Sequence, residues 1–291
     1  MEAPAVPAAP DRRLLGTLLI CVATLCFCGA DTMAKVALNA GTTPLVVTWG
    51  RYWGSMLILL ALVPALGWRR VAATLRPGLH LARGLVVLGS SLLFFHGLQH
   101  LPLADTFAIG FASPIWVALM AAAALGERVS WRRWLAIGAG FAGVLVIVRP
   151  GGEGMGWLAL LPLSSSLLFA AYQVLTRAAG ASEPPLVSLF WAMLVGTVAM
   201  SLLVPFAWET PKPEAWLVFL GIGLFAFVGH LAMTKAYAIA PAAHLAPFYY
   251  SVLIWATLSG WVAFGDVPDL WTFVGAGILA VTGVFVVRLK D

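Results

Sequence analysis

Residues 14–38 read LLGTLLICVATLCFCGADTMAKVAL. An apolar run of about 20 residues crosses a hydrocarbon core roughly 30 Å thick, and this run is long enough. It also outlasts the apolar region of a secretory signal, about 7–15 residues. It therefore reads as a retained membrane-spanning helix despite the Arg12-Arg13 pair in front of it. Two charges stand in its last third, Asp31 and Lys35, one turn apart on one helix face. At about 1.5 Å per residue, Asp31 lies roughly 25 Å along the axis. A charge held in lipid costs at least about 2.5–3.5 kcal/mol, so such residues usually face a cavity and serve it. The alternative is an Asp31–Lys35 pair that neutralises itself, with Lys35 snorkelling to the surface. Cys21, Cys26 and Cys28 share this helix. Disulfide frameworks need loop cysteines, and zinc needs ligands converging from several places. The three read as small apolar filler, and neither metal nor cofactor is expected.

Outward from this run the same texture continues. Hydrophobic residues make up 62% of the 291 and charged residues 10%, against about a quarter charged in a soluble domain. Apolar spans fall at 14–38, 44–66, 79–98, 104–125, 131–148, 155–177, 185–206, 216–239, 243–264 and 271–287. Turn formers separate them, among them Gly41-Thr42-Thr43-Pro44, Arg76-Pro77-Gly78, Pro184-Pro185 and Pro211-Lys212-Pro213. The expected fold is all-α and integral to the membrane, with ten transmembrane helices.

The net charge of +5 would suggest a nucleic-acid partner in a soluble protein. Here the 17 Lys and Arg sort by membrane side. With a cytoplasmic N-terminus, the cytoplasmic ends hold Arg12, Arg13, Arg69, Arg70, Arg76, Arg83, Arg128, Arg132, Arg133, Arg177, Arg288 and Lys290. The opposite ends hold Arg149 and Lys212, while Lys35, Arg51 and Lys235 fall at or inside helix ends. That asymmetry follows the positive-inside rule and places both termini in the cytoplasm of a bacterial inner-membrane protein.

The chain also repeats. A shift of 139 residues aligns Gly84 with Gly223, Pro102 with Pro241, Trp116 with Trp255, Gly126-Glu127 with Gly265-Asp266, and Val148-Arg149 with Val287-Arg288. A shift of 142 aligns Phe27 with Phe169, Asp31 with Gln173 and Lys35 with Arg177. The division is a lead over 1–13, a first repeat over 14–150, a second over 151–288 and a tail over 289–291. Five helices per repeat force the two copies to lie inverted in the membrane. That symmetry underlies many secondary transporters, whose solute site lies near the midplane between the halves.

Three stretches carry a family resemblance. They are Leu81-Ala82-Arg83-Gly84 with Phe94-Phe95-His96-Gly97-Leu98 and Leu101-Pro102-Leu103-Ala104; Ser113-Pro114-Ile115-Trp116 with Leu125-Gly126-Glu127-Arg128 and Trp134; and Gly138 to Gly143 ending in Ile147-Val148-Arg149-Pro150-Gly151. Together they resemble the ten-helix drug/metabolite transporter superfamily, in its EamA branch, over nearly the whole chain. The resemblance implies alternating access through a cavity built by helices 1–4 and 6–9, with helices 5 and 10 as braces. Asp31-Thr32-Met33-Ala34-Lys35 and Trp49-Gly50-Arg51-Tyr52 look similar to members that take up riboflavin or S-adenosylmethionine. Amino-acid and drug exporters share most of the frame.

The candidate solute-binding residues are Asp31, Lys35, Trp49, Arg51, Trp53, Trp116, Gln173, Tyr249, Tyr250 and Trp255. A guanidinium beside aromatics suits a carboxylate, a phosphate or a flat π-system; an interfacial aromatic belt is the alternative for Trp49, Arg51 and Trp53. Pro114 and Pro247 break backbone hydrogen bonding in matching spans, tolerated where freed carbonyls line a cavity, and are candidate hinges. Asp105 reads as a helix cap, His96, His100 and His230 as satisfied helix-end residues, and His244 as a titrating group. Gly138, Gly140, Gly143, Gly275, Gly277 and Gly283 read as close packing through small residues. Zinc-protease, hydrolase and Walker motifs are missing from the sequence, leaving a membrane-embedded enzyme as a distant alternative. The leading expectation is a secondary transporter of a small aromatic or zwitterionic metabolite, riboflavin first. Its partners would be that solute and the bilayer, with a homodimer left open and no nucleic acid.

Overall fold

Proline presets φ and lacks the N–H that a first helical turn leaves unbonded, so it opens helices well. In the computed structural model it does so at Pro44, Pro77 and Pro185, and Thr43 caps the first of these by accepting from the Val46 N–H. Gly41 and Gly67, both at positive φ, end the two preceding runs. The structure describes residues 10–113, 115–117, 119–120, 131–149, 156–180, 183–239, 248 and 251–288. Within them the main helices are α1 (Pro10–Asn39), α2 (Pro44–Leu66), α3 (Pro77–His100), α4 (Leu103–Gly110), α5 (Trp131–Val148), α6 (Leu160–Gly180), α7 (Pro185–Leu203), α8 (Pro213–Ile239), α9 (Ser251–Phe264) and α10 (Leu270–Arg288). Short helical turns at Trp68–Ala72, Gly156–Ala159 and Val204–Ala207 join them. Six spans are long and apolar enough to cross a membrane: Leu14–Asn39, Pro44–Leu66, Pro77–His100, Gly156–Thr176, Pro185–Ala207 and Pro213–Ala236. Shorter apolar helices accompany them. The chain is an all-helical, multi-pass membrane protein among its described residues.

Helix α1 packs on α8 and α9, α8 also on α2, and α3 on α6 and α7; α2 meets α7, α4 meets α6 and α9, and α5 meets α10. Helix α2 crosses α8 backbone to backbone. A Cβ on Gly223 would stand 2.5 Å from the Ser55 nitrogen, and one on Gly54 2.6 Å from the Phe219 carbonyl oxygen. Ser55 Oγ donates to the Gly223 carbonyl at 3.0 Å across the same crossing. Gly84, the repeat mate of Gly223, meets Val195 of α7. Of the six glycines expected at close contacts, Gly140, Gly143 and Gly275 are there, the last two back to back between α5 and α10. Gly138 and Gly277 face open space instead, because the crossing is narrow and neighbouring turns diverge from it; Gly283 lies outside the described side chains.

Two ends can be told apart. At one, Lys35, Leu101 and Asp266 meet, and Arg149 pairs with Asp269 at 2.6 Å. At the other, Glu183 accepts from Thr74 Oγ and the Leu75 N–H, and the Trp191 indole donates to the Ala72 carbonyl. Burial would raise the Glu183 carboxyl, but those hydrogen bonds hold it below the ordinary glutamate range. Asp105 is not a cap: Pro102 holds that position and Asp105 sits in the first turn of α4, where an acid still meets the positive helix end.

Candidate functional site

The helix pattern α1 to α2 brings Asp31 and Arg51 together inside the bundle. Arg51 Nη1 lies 3.2 Å from Asp31 Oδ1, with side chains 15% and 8% exposed. Asp31 and Lys35 therefore do not pair with each other. Lys35 points one turn further along α1, where Nζ donates to the Leu101 carbonyl at 3.0 Å and to Asp266 Oδ2 at 3.2 Å. Nor does Lys35 snorkel: it is 7% exposed, with the Phe264 ring 5.1 Å away. The two charges share a face of α1 but sit at different depths along it, so Asp31 meets Arg51 of α2 while Lys35 meets the loops that follow α3 and α9.

Arg51 opens onto a small cavity of about 10 Å³, which it lines with Tyr52, Val87, Ser91, Tyr172, Ala192, Met193 and His230. The guanidinium also lies 5.5 Å from the Phe95 ring centre, within cation–π range. The Tyr52 hydroxyl meets Ser91 Oγ at 3.3 Å. His230 is 7% exposed in the middle of α8, edge-on to Phe27, which corrects its placement at a helix end. Lining comes from α2, α3, α6, α7 and α8. A cation, hydroxyls and rings of this kind can hold a flat polar solute, once the helices part to admit it.

A second, larger space of about 510 Å³ opens at the Lys35 end. Lys35, Asn39, Gln99, His100, Phe264 and Asp266 are among its walls. The Lys35–Asp266 pair and, one turn deeper on α1, the Asp31–Arg51 pair stand in line between this vestibule and the central cavity.

The expected cluster of Arg51 with Trp49 and Trp53 is not formed. Residues two apart on a helix face different directions, whereas residues four apart share a face. Trp49 and Trp53 accordingly stack on each other, with ring centres 5.5 Å apart, and meet Trp216 at 5.9 and 5.8 Å. Trp208 stands edge-on to Trp49 at 5.6 Å, and the Trp49 indole donates to Ser201 Oγ. This is an indole cluster at the vestibule end, apart from the cavity. Gln173 donates to Ser113 Oγ at 2.8 Å and Trp116 to Ser166 Oγ at 3.0 Å, so both tie α6 to the segment that follows α4. Trp255 packs against the main core with its indole nitrogen buried and unpartnered among the described residues. Tyr249, Tyr250, Pro114, Pro247, His244 and Gly126-Glu127 lie outside the described residues, as does the side chain of Arg177.

The largest omission is Arg83. Counted above among the charges of a cytoplasmic end, it is 1% exposed and among the largest fully buried side chains. Its place four residues inside an apolar span, one turn before Val87, was the signal available. Tyr172, Phe95 and His230 carried no comparable mark, being ordinary members of apolar runs.

The model of a family described as "EamA-like transporter family" matches residues 14–149 and again 156–289. The chain is 28% identical to a protein of Rhizobium johnstonii named riboflavin transporter, covering 99% of this chain and 96% of that one. It is 26% identical to a Rickettsia prowazekii protein named S-adenosylmethionine uptake transporter, covering 88% and 87%. A solved structure 19% identical in sequence superposes with a TM-score of 0.66 over 94% of this chain and 96% of the other, a likeness of fold.

Proposed function

The chain belongs to the EamA-like transporter family, and from that premise we propose that it carries a small ring-bearing metabolite, riboflavin first, across a bacterial inner membrane by alternating access. The buried Asp31–Arg51 pair at the edge of the central cavity, with Phe95 and Tyr172 beside it, is the observation that carries this reading. A guanidinium can face the carbonyl edge of a flavin while aromatic rings flank its plane. The relatives' names favour riboflavin or S-adenosylmethionine over the amino acids carried by other exporters, and they point to transport rather than catalysis.

Ten crossings in two inverted five-helix repeats are part of the proposal. Exchanging each helix for the one five places on turns α1·α8 into α6·α3, α8·α2 into α3·α7, and α1·α9 into α6·α4, and all of these pairs pack. The pairs α2·α7, α4·α9 and α5·α10 map onto themselves. The vestibule end then faces outward and the Glu183 end inward. Reporter fusions after Arg70, Arg133 and Lys290 are expected to read cytoplasmic, and one after Gly152 periplasmic. A cytoplasmic signal at Gly152 would sink the inverted arrangement.

The transport reading itself is tested by uptake of labelled riboflavin into cells with and without the protein, at two pH values. Accumulation on the order of tenfold above control cells is the expected result. Equal accumulation, with S-adenosylmethionine entering instead, would move the assignment to the second relative.

A further inference from the structure

We propose that Arg83 is a second solute-binding cation, set behind Tyr172, which takes an acidic group of the solute. It rests on the transport function proposed above and narrows the substrate class. Arg83 Nε donates to Thr176 Oγ at 3.1 Å, Nη1 meets His80 Nδ1 at 2.9 Å, and the guanidinium lies 5.4 Å from the Tyr172 ring centre. None of these partners is negative. Arg51 has Asp31 within ion-pair distance; among the described residues Arg83 has no carboxylate there. Since an arginine can only donate, His80 Nδ1 must be the acceptor, which puts the imidazole proton on Nε2 and leaves the ring neutral. Glu183 stands 3.7 Å from that Nε2, too far for a hydrogen bond, and is already bonded to Thr74 and Leu75.

Among the described residues, the interior around the cavity thus holds two guanidiniums and one facing carboxylate. A charge kept in a membrane protein's interior without a counter-ion is costly and usually serves a solute or ion path. The position fits that use. Val87, one turn on from Arg83, lines the cavity, and Tyr172 touches both the cavity and Arg83. A solute that turns the Tyr172 ring aside meets the unused part of the guanidinium fork, whose planar geometry suits a carboxylate. A solute with a net positive charge, such as a sulfonium, meets the same excess as repulsion. The competing role is purely mechanical, with Arg83 tying α3 to α6 through Thr176.

The test uses the full chain in detergent and two flavins with the same ring system, one carrying a carboxymethyl group at N10 and the other its uncharged carbamoylmethyl isostere. Riboflavin and S-adenosylmethionine are measured beside them. Wild type is expected to bind the carboxylate on the order of tenfold more tightly than its isostere, since a charge-assisted hydrogen bond is roughly twice as strong as a neutral one. Arg83→Gln should erase the preference while still binding the neutral flavins. Arg83→Lys, which keeps the charge, should retain most of it. Thr176→Val removes the tie between helices and should lower the melting temperature but keep the preference. Equal binding of the two isosteres by wild type, or an unchanged preference in Arg83→Gln, would reduce Arg83 to the mechanical role while riboflavin binding left the transport reading standing. Binding of S-adenosylmethionine with neither flavin bound would overturn both the flavin assignment and the charge selection.

Discussion

Asp31→Asn is expected to lower solute transport by about two orders of magnitude while the protein still inserts and can be purified. The substitution keeps the shape of the side chain but leaves Arg51 as a buried cation with no counter-ion. Breaking a buried pair in this way costs roughly 3–5 kcal/mol, and about 1.4 kcal/mol is a factor of ten in rate. Arg51→Gln should be comparably damaging, by stranding the carboxylate. The double variant Asp31→Asn with Arg51→Gln strands neither charge, so it should regain most of the lost thermal stability without regaining transport. Asp31→Glu should retain part of the activity with a displaced pH optimum, because the carboxylate is kept but its distance to Arg51 changes. Transport at the wild-type rate by Asp31→Asn between about pH 5.5 and pH 8 would show that the pair is scaffolding.

The largest loss of stability is expected at the α2–α8 crossing. Gly223→Val would push its first side-chain carbon to within 2.5 Å of the Ser55 nitrogen and 2.7 Å of the Gly54 Cα. These are backbone atoms, so no rotamer change relieves the clash, and helix separation would also break the Ser55 hydroxyl bond to the Gly223 carbonyl. The cost should reach or exceed the upper end of ordinary overpacking, about 3 kcal/mol, read as a fall in melting temperature in detergent. Gly277→Ala is the control. Nothing lies within 4 Å of a Cβ there, and alanine favours a helix by about 1 kcal/mol over glycine, so its melting temperature should hold or rise. A Gly223→Val protein that melts with the wild type would mean that α2 and α8 do not cross this closely.

The scaffold was largely legible because lipid solvation writes long apolar runs into a sequence. The expected spans 44–66 and 131–148 coincide with α2 and α5, and most others differ by a few residues at ends where proline or glycine sets the boundary. The importance of Asp31 and Arg51 was legible too, since a charge inside an apolar run needs a reason. Their partnership was not. Asp31 has Lys35 one turn away in sequence, yet its partner is 20 residues off on α2, and Lys35 reaches Asp266 across most of the chain. Tertiary packing chooses among partners that spacing alone leaves equivalent. Trp49 and Trp53 illustrate the opposite case: sequence neighbours of Arg51 by two residues, they are directed away from it by the helical period itself, which could have been applied beforehand. The burial of Arg83 was missed because a topology count weighs each basic residue by its loop and takes no account of how deep in a helix it sits.

The size of the central cavity has a bioenergetic consequence. About 10 Å³ has room for roughly one water molecule, too little beside Arg51 for a continuous file of waters. Protons hop along continuous files and stop where the file breaks. In this closed state the protein can sit in an energised membrane in high copy number without short-circuiting the proton-motive force. Liposomes that carry it should hold an imposed pH gradient as long as empty ones do, until a solute that parts the helices is added.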